Sequence, residues 1–368
     1  MKFTISREQF LQPLQLVSGA IERRHTLPIL SNILLVVKDG VLTLTGTDLE
    51  VELISHLTLS PDSFEDGEIT VPAKKLVDIC RGLSDGNDIT FQVDGNKATI
   101  RAGRGRYTLS TLSASDYPNL EDWQADVEFV ISQNDLKHLI DSTSFAMAQQ
   151  DVRYYLNGMS LETEDNNIRT VATDGHRLAR VEMPLPEGAH QMPPVIVPRK
   201  AVVEIRKLIE DNESDVSISL SESKLCCTIG DTVLTTKLID GTFPDYERVI
   251  PTGNDKIMNV NCRELAEVVD RVATISTEKS RSVKLQLKTR TLVLSANSPE
   301  SGTAREELEV QYDSDDLEIG FNSRYLLDIT NQIEGENIEF SLADPGSPTI
   351  VRDQDDNTSL YVLMPMRV

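Results

Sequence analysis

The chain repeats itself at a fixed interval, and that interval governs every other reading of it. "TVPAKKLVDICRGL" begins at Thr70 and "VIVPRKAVVEIRKLI" at Val195, and the prolines within them, Pro72 and Pro198, lie 126 residues apart. The same 126 separates Asp48 in "LTGTDLEV" from Asp174 in "VATDGHRL", Pro118 in "DYPNLEDW" from Pro244 in "FPDYERV", and Phe3 in "MKFTISREQF" from Phe129 in "EFVISQNDL". Four landmarks at one offset define an internal duplication. A third, weaker copy follows. "IMNVNCREL" from Ile257 repeats the strand-then-helix opening, "LVLSANSPE" from Leu292 stands where "LTLTGTDLE" stood, and "IGFNSRYLLDI" from Ile319 replaces "TVPAKKLVDI". Copies over 1–126, 127–252 and 253–368 are each the size of a domain rather than the short unit of a solenoid.

The helix that opens each copy carries one apolar stripe. Phe10, Leu14, Val17 and Ile21 step by four, three and four; Leu136, Ile140, Thr143 and Met147 repeat the steps, as do Leu265, Val269, Val272 and Ser276. Such a stripe buries one face of an amphipathic helix and leaves the other for something else. Pro13 is expected to tighten or kink the first of these helices. Short alternating segments such as "VLTLTGT", "ITFQVDG", "KATIRAG" and "RYTLSTL", bounded by Gly, Asn and Asp, read as antiparallel strands and hairpins. Each copy is thus two rounds of strand, helix and strands, an α+β domain with sheet on one side and two helices on the other.

With 39% hydrophobic and 26% charged residues, the chain has the make-up of a soluble globular protein. No apolar run approaches the roughly 20 residues that span a bilayer, and "ILLVV" from Ile33 to Val37 reads as a buried strand. "MKFTISREQF" has charges where a signal peptide needs its apolar stretch, so export is not expected. Cys80, Cys226, Cys227 and Cys262 show no CxxC spacing and read as reduced cytosolic thiols.

Fifty-nine acids against 36 bases give a net charge of −23, which taken evenly argues against a nucleic-acid binder. The charge is not even. Over the segments read as helices (6–24, 72–83, 132–153, 198–209, 261–281 and 322–334) the net charge is +4, leaving −27 on the rest. The bland explanation is that Lys and Arg are good helix formers on solvated faces. The sharper one is that Lys74, Lys75, Arg81, Arg199, Lys200, Arg206 and Lys207 meet phosphate while the outer surface repels it. No aromatic ladder accompanies them, which favours duplex backbone over single strands. A domain of this size approximates a sphere of about 18 Å radius. Three such spheres in a ring leave a gap of only about 3 Å radius, whereas six leave a bore of roughly 35 Å. A B-form duplex, roughly 20 Å across, passes the second and not the first, so enclosure needs two chains.

At "TLPIL", "LTGTDLE", "VPAKKLVDICRGL", "RYTLSTL", "MAQQDVRYYLNGM", "VATDGHRLA", "VIVPRK", "DGTFPDYERVIP", "LEIGFN" and "YVLMPMRV" the chain resembles the bacterial sliding clamps, the beta subunits of DNA polymerase III, along its whole length. The resemblance implies three tandem clamp domains with antiparallel sheets outside and two helices per domain lining a central hole, closed into a head-to-tail ring dimer. It implies a non-catalytic processivity factor of the polymerase holoenzyme, without cofactor, metal or membrane partner. Its partners are double-stranded DNA without sequence preference, a second copy, the catalytic subunit of DNA polymerase III, the clamp loader, and translesion and repair polymerases and other proteins with a clamp-binding motif. Its place is the cytoplasm, on the nucleoid. A client-peptide pocket between the second and third domains maps to Leu156, Thr173, Gly175, His176, Arg177, Leu178, Pro244, Arg248 and Val249, with Arg153, Tyr154, Tyr155, Asn322, Tyr325, Val362, Met364, Pro365, Met366 and Arg367 on its other half. A thioether surface at Met364 and Met366 suits varied peptides. DNA contacts map to Arg24, Gln150, Tyr154 and Tyr155 beside the basic helix residues. The dimer contact pairs Lys75, Arg104, Arg106, Tyr107 and Leu109 with Thr274, Ile275, Glu300, Glu306 and Glu307. Departures from the family pattern are "ESGTAREEL", which sets Arg305 inside an otherwise acidic run, "EKSRSVKL" after Thr277, "FNSRY", which adds Arg324 beside the pocket, and "DPGSPT" with Pro345 and Pro348.

Other classes fare worse. "TDGHR" sets Asp174 two residues from His176, but no GxSxG, Walker loop or HExxH accompanies it, and the first copy reads "TDLEV" without histidine. "DQDDN" at Asp353 to Asn357 lacks the EF-hand glycine and terminal glutamate and reads as a solvated acidic loop. His25, His56, His138 and His190 are scattered. An acidic scaffold that binds only proteins, without topological linkage to DNA, is the remaining alternative; it shares the repeats and the pocket.

Overall fold

A computed structural model describes residues 1–22, 27–118, 120, 123–190, 192–277 and 281–367. Among these are six α-helices, two per copy: α1 (Arg7–Val17), α2 (Ala73–Gly82), α3 (Gln133–Ser144), α4 (Arg199–Leu208), α5 (Cys262–Ala273) and α6 (Ser323–Thr330). The opening helices share one start signal. Ser6 caps α1 by accepting from the Gln9 amide at 3.3 Å, Ser132 does the same for α3 from Asp135 at 3.0 Å, and Asn261 caps α5 from Glu264 at 3.0 Å.

These helices are shorter than their stripes. Phe10, Leu14 and Val17 are fully buried on α1, but the Ser18 hydroxyl and amide both turn back to the Leu14 carbonyl and end the helix before Ile21. Met147 and Ser276 likewise lie past the ends of α3 and α5. Past each helix end the chain goes on in tighter turns closed by i→i−3 bonds, such as Ile21 to Ser18, Met147 to Ser144 and Ser276 to Ala273, so periodicity alone overran the ends. Pro13 lies inside α1, which runs continuously through it. Net charge over the shorter helices stays positive, with α2 and α4 supplying the excess.

Four antiparallel sheets complete the fold, and two of them mix copies. An eight-stranded sheet runs Val127–Ser132, Asp215–Leu220, Lys224–Ile229, Thr232–Lys237, Val51–Thr58, Val41–Thr47, Asn32–Lys38, Gly67–Pro72, so a strand of the first copy pairs with the last strand of the second. A nine-stranded sheet does the same one copy further on, pairing Arg177–Pro184 with Ser359–Leu363. Leu53 stands opposite Leu234 in the first joint and Ala179 opposite Tyr361 in the second. The remaining sheets have five strands, ending on Gly105–Ser110, and four strands, ending on Gly302–Glu309. These end strands are the sister strands of those that make the joints.

By contacts the chain divides into two compact units, 1–137 with 186–192 and 200–239, and 138–185 with 193–199 and 240–368. The strand exchange explains why the middle copy is shared between them. In the first unit Phe3 stacks on Phe91 at 5.0 Å and meets Phe10 edge-on at 5.8 Å. In the second, Val171, Leu178, Tyr246, Ile350, Leu360 and Val362 form one buried cluster.

One sequence reading changes and another holds. Asp353 is buried rather than solvated: its carboxylate accepts from the amides of Glu334, Gly335 and Asp355 at 2.8–3.0 Å and fixes the loop that follows α6. The cysteines are free, and burial pushes the Cys80 thiol up to about 12 and Cys262 to about 11, so neither is a reactive thiolate. No helix of the described residues is long and apolar enough to cross a membrane.

Candidate functional site

The "TD" landmark of the repeat is a turn device. Asp174 joins the strands Asn167–Thr173 and Arg177–Pro184, and its Oδ1 accepts from the amides of His176 at 2.9 Å and Arg177 at 3.1 Å. The Thr173 hydroxyl bonds the Arg177 carbonyl at 2.6 Å and receives the Gly175 amide at 3.1 Å. Thr47 and Asp48 repeat all four bonds in the first copy. Gly175 sits at φ +85°, and a Cβ there would come within 3.1 Å of the Arg153 guanidinium. The carboxylate is thus occupied by backbone amides and orients no imidazole, which removes the acid–base reading of "TDGHR".

Arg177, the last residue of that turn, is buried and fully engaged. Its Nε meets Asp174 Oδ2 at 3.1 Å, one terminal nitrogen Asp328 at 2.5 Å and the other the Phe145 carbonyl at 2.7 Å. The guanidinium also lies over the Tyr325 ring at 4.3 Å and near that of Phe145 at 5.2 Å. It forms the wall between two cavities.

The first cavity, of about 330 Å³, is lined by Arg153, Tyr155, Leu156, Thr173, Gly175, Arg177, Leu178, Pro244, Val249, Val362 and Met364, all named from the sequence, and by Tyr246, which was not. Strand Ser359–Leu363 is buried along its whole length, so Val362 belongs both to the core and to the cavity floor, while Met364 is 37% exposed at the rim. The Met364 amide donates to the His176 carbonyl at 2.9 Å, which holds the chain end across the turn. An apolar floor with a few polar groups at the rim is what a peptide side chain needs.

Tyr246 heads a short 3₁₀ turn, Tyr246–Val249, and is pinned from below. Arg169 donates to its hydroxyl at 2.7 Å and to Glu247 at 3.2 Å, and that hydroxyl donates to Glu162. Arg169, only 9% exposed, also pairs with Glu164 and with Glu182 at 3.1 Å. Burial and the Glu162 carboxylate both push the Tyr246 phenol up, so it stays a donor at any working pH. This buried cation sets the height of the Pro244–Val249 wall. Tyr246 was missed although Pro244 and Arg248 flank it, because nothing in "FPDYERV" separates a core tyrosine from one that faces a cavity.

The second cavity, of about 740 Å³, touches His176, Arg177, Asn322 and Tyr325 among the named residues, together with Gln150 and Arg199 of the duplex set. Tyr154, Arg248, Pro365, Met366 and Arg367 line neither. Tyr154 packs edge-on against Tyr155 at 5.8 Å, Arg248 pairs with Asp245 at 2.6 Å, and the Met366 amide bonds the Gly320 carbonyl at 2.8 Å. The Arg153 guanidinium holds the Asp151 carboxyl down at about 2.

The basic residues differ in how free they are. Lys74, Lys75 and Arg81 stand exposed on α2, and among the described residues no carboxylate pairs with the two lysines. On α4, Lys200 is tied to Asp48, to the Ala20 carbonyl at 2.7 Å and to Glu22 at 3.4 Å. Lys207 pairs with Glu204 at 2.7 Å, and Arg199 donates to the Met147 carbonyl at 3.2 Å. Arg206 is half-buried. Arg24 lies outside the described residues.

The residues that the resemblance assigns to a dimer contact sit on or beside the two end strands, each paired on one side only, or on the helices. Arg106, Tyr107 and Leu109 lie on Gly105–Ser110 with Arg104 just before it, and Glu306 and Glu307 lie on Gly302–Glu309. Glu306 is gripped by Arg271 of α5 through bonds of 2.8, 3.0 and 3.2 Å. Thr274 and Ile275 follow that helix, Glu300 precedes the strand, and Lys75 stands on α2.

Comparison with known proteins agrees along the whole chain. Models of the DNA polymerase III beta subunit match in order, the N-terminal domain over residues 1–121, the central domain over 130–245 and the C-terminal domain over 247–367. The beta sliding clamp of Pseudomonas aeruginosa is 49% identical over 368 residues, and that of Escherichia coli K12 46% over 370, each covering all of both chains. Crystal structures of sliding clamps bound to griselimycin, from Bartonella birtlesii and from P. aeruginosa, superpose over the whole of both chains with TM-scores of 0.97 and 0.95 at 45% and 49% identity. Three domain models in sequence and relatives near half identical over full length place this chain in the family of the DNA polymerase III beta subunit, the bacterial sliding clamps.

Proposed function

We propose that two copies of this chain close head to tail around duplex DNA and tether polymerases to it through the cavity under Met364. Domain limits of 1–126, 127–252 and 253–368 belong to the same reading. The observation that carries it is the strand exchange between copies. Val51–Thr58 and Arg177–Pro184 each pair with the last strand of the following copy, whereas Gly302–Glu309 and Gly105–Ser110 are left without such partners. Transferring the register of the two internal joints puts Ala304 opposite Tyr107, as Ala179 stands opposite Tyr361. It also puts Thr303 opposite Thr108, Glu307 opposite Arg104, and Arg305 opposite Arg106.

Bound duplex is held by enclosure rather than adhesion, because the helix surface is only mildly basic and part of that charge is already paired within the chain. Exposed Lys74, Lys75 and Arg81 of α2, with Gln150 and Tyr154, supply the soft contacts; Arg24, Tyr155, Arg199, Lys200, Arg206 and Lys207 complete the set. The clients are the catalytic subunit of DNA polymerase III, the clamp loader, translesion and repair polymerases and other proteins bearing a clamp-binding motif. They act on the nucleoid in the cytoplasm, and the chain itself catalyses nothing.

The test is retention on circular against linear DNA after loading. Protein linked to the duplex stays on a nicked circle and runs off linear ends, and blocking those ends restores retention. Equal retention on open linear and circular templates would leave only the protein-binding scaffold. Deleting Met364–Val368 should abolish polymerase binding and leave the dimer mass unchanged.

A further inference from the structure

A third cavity, of about 240 Å³, shares Pro244 and Tyr246 with the first and no residue with the second. Its floor is the end of the nine-stranded sheet. Ser160 and Glu162, two apart on the strand Gly158–Glu164, face the same way, and Ile196 of the end strand Val195–Pro198 stands directly opposite Ser160. Phe243 and Pro244, on the loop that leads to Tyr246, line its other side, and Pro194 and Thr242 are exposed at its rim. The first copy puts hydrocarbon in the floor positions: at the 126-residue offset Leu34 stands for Ser160 and Val36 for Glu162. Its Tyr117, the sister of Phe243, sends a hydroxyl to the Asn32 and Thr45 carbonyls at 3.2 and 3.1 Å. The second copy thus exchanges an apolar floor for a polar one. Ser160 is wholly buried, yet among the described residues its hydroxyl has no hydrogen-bond partner. Such a group is costly unless something bonds it. Glu162 receives the Tyr246 hydroxyl and lies 3.6 Å from Arg169, both through Oε1, which leaves Oε2 to accept.

We infer that this cavity is a ligand site of its own, for a small uncharged planar ring with a cis-amide edge: a carbonyl beside an N–H, as in a lactam, a pyridone or a pyrimidine base. The carbonyl accepts from the Ser160 hydroxyl, the N–H donates to Glu162, and the ring lies against Ile196, Phe243 and Pro244. Residues two apart on a strand stand about 7 Å from one another, a span that an amide edge covers with a hydrogen bond of about 2.8 Å at each end. A cavity of about 150 Å³ already takes benzene, so one ring or a fused pair fits here. The Glu162 carboxylate turns acids away, and Arg169 beside it answers the charge that would otherwise call for a cation.

Ligand-observed NMR titration of the intact protein decides this, with 2-pyridone and uracil as probes and with toluene, benzoate and benzylamine as controls that lack the amide edge. At least one of the two probes should bind with a Kd of about 1 mM or tighter, and each control about five-fold more weakly or worse. Ser160→Ala should weaken the bound probe about five- to ten-fold. Ser160→Leu, which restores the residue of the first copy and fills the floor, should abolish its binding. A urea transition unchanged in steepness shows that both variants are folded. Binding of neither probe overturns the site, as does probe binding that survives both substitutions in folded protein. Equal or tighter binding of toluene, benzoate or benzylamine overturns its chemistry. Displacement of the probe by a synthetic peptide with an apolar anchor would assign the probe to the first cavity, and the proposal would fall while the client pocket stood.

Discussion

Lys200 shows how a residue's partners decide what its charge can do. The sequence groups it with Lys74 as a phosphate contact, and in the fold it also anchors α4 to the first copy through Asp48, whose side chain is 6% exposed. Burial alone would raise the Asp48 carboxyl, yet the Lys200 ammonium and the amides of Val51 and Glu50 outweigh it and hold the group below its ordinary 3.8. Lys200→Ala should therefore cost about 1–3 kcal/mol of stability. A carboxyl held low in the fold stabilises above its unfolded pKa and loses that contribution as pH falls through its folded one. The gap between variant and wild type, followed by urea denaturation, should be full above about pH 4 and close in more acidic buffer. Lys74→Ala with Lys75→Ala should instead reduce loading on DNA with no stability loss. Tyr246→Phe should lower peptide affinity by about five-fold, or 1 kcal/mol, because it removes one of the two bonds by which Arg169 holds the pocket wall. Dimer mass should not change, and unchanged calorimetric titration of a client peptide would refute the positioning role. The lining of the cavity was legible wherever the family motif named it, at Leu178, Pro244 and Val362. Tyr246 and the buried pairing of Lys200 were not, since both depend on contacts made across 77 and 152 residues of chain.

At the level of elements, the repeat located every helix, by the 126-residue offset in the first two copies and by pattern in the third, because a cap such as Ser6, Ser132 or Asn261 and the strand before it recur together. What it could not show was which strand would pair outside its own copy. That choice depends on two edges meeting in space, and alternation along one strand carries no trace of it. Arg305 gains its meaning from such an edge. In the transferred register it stands directly opposite Arg106, and like charges at that position destabilise a ladder. Arg305→Glu should therefore tighten the dimer by about 0.5–1 kcal/mol per joint, seen as a lower monomer fraction in dilution series by light scattering. Proline in place of Thr108 would remove a backbone donor from the same edge and should yield monomers. A Thr108→Pro protein that stays dimeric would mean the contact lies elsewhere.

For the whole molecule, a net charge of −23 and DNA binding coexist because the acidic excess lies off the helices. The expected signature is low sensitivity to salt. Once linked to a nicked circle, the protein should stay bound through a rise in salt that strips an ordinary phosphate-gripping protein by a factor of about a thousand or more. Rapid loss from circles in that range would mean grip and not linkage.

The joints between copies have one further consequence. Their hydrogen bonds run from amide to carbonyl, and amides are the same in every chain. A cell holding two related versions of this protein would mix them freely unless a few side chains, Arg305 and Tyr107 foremost, objected to the stranger.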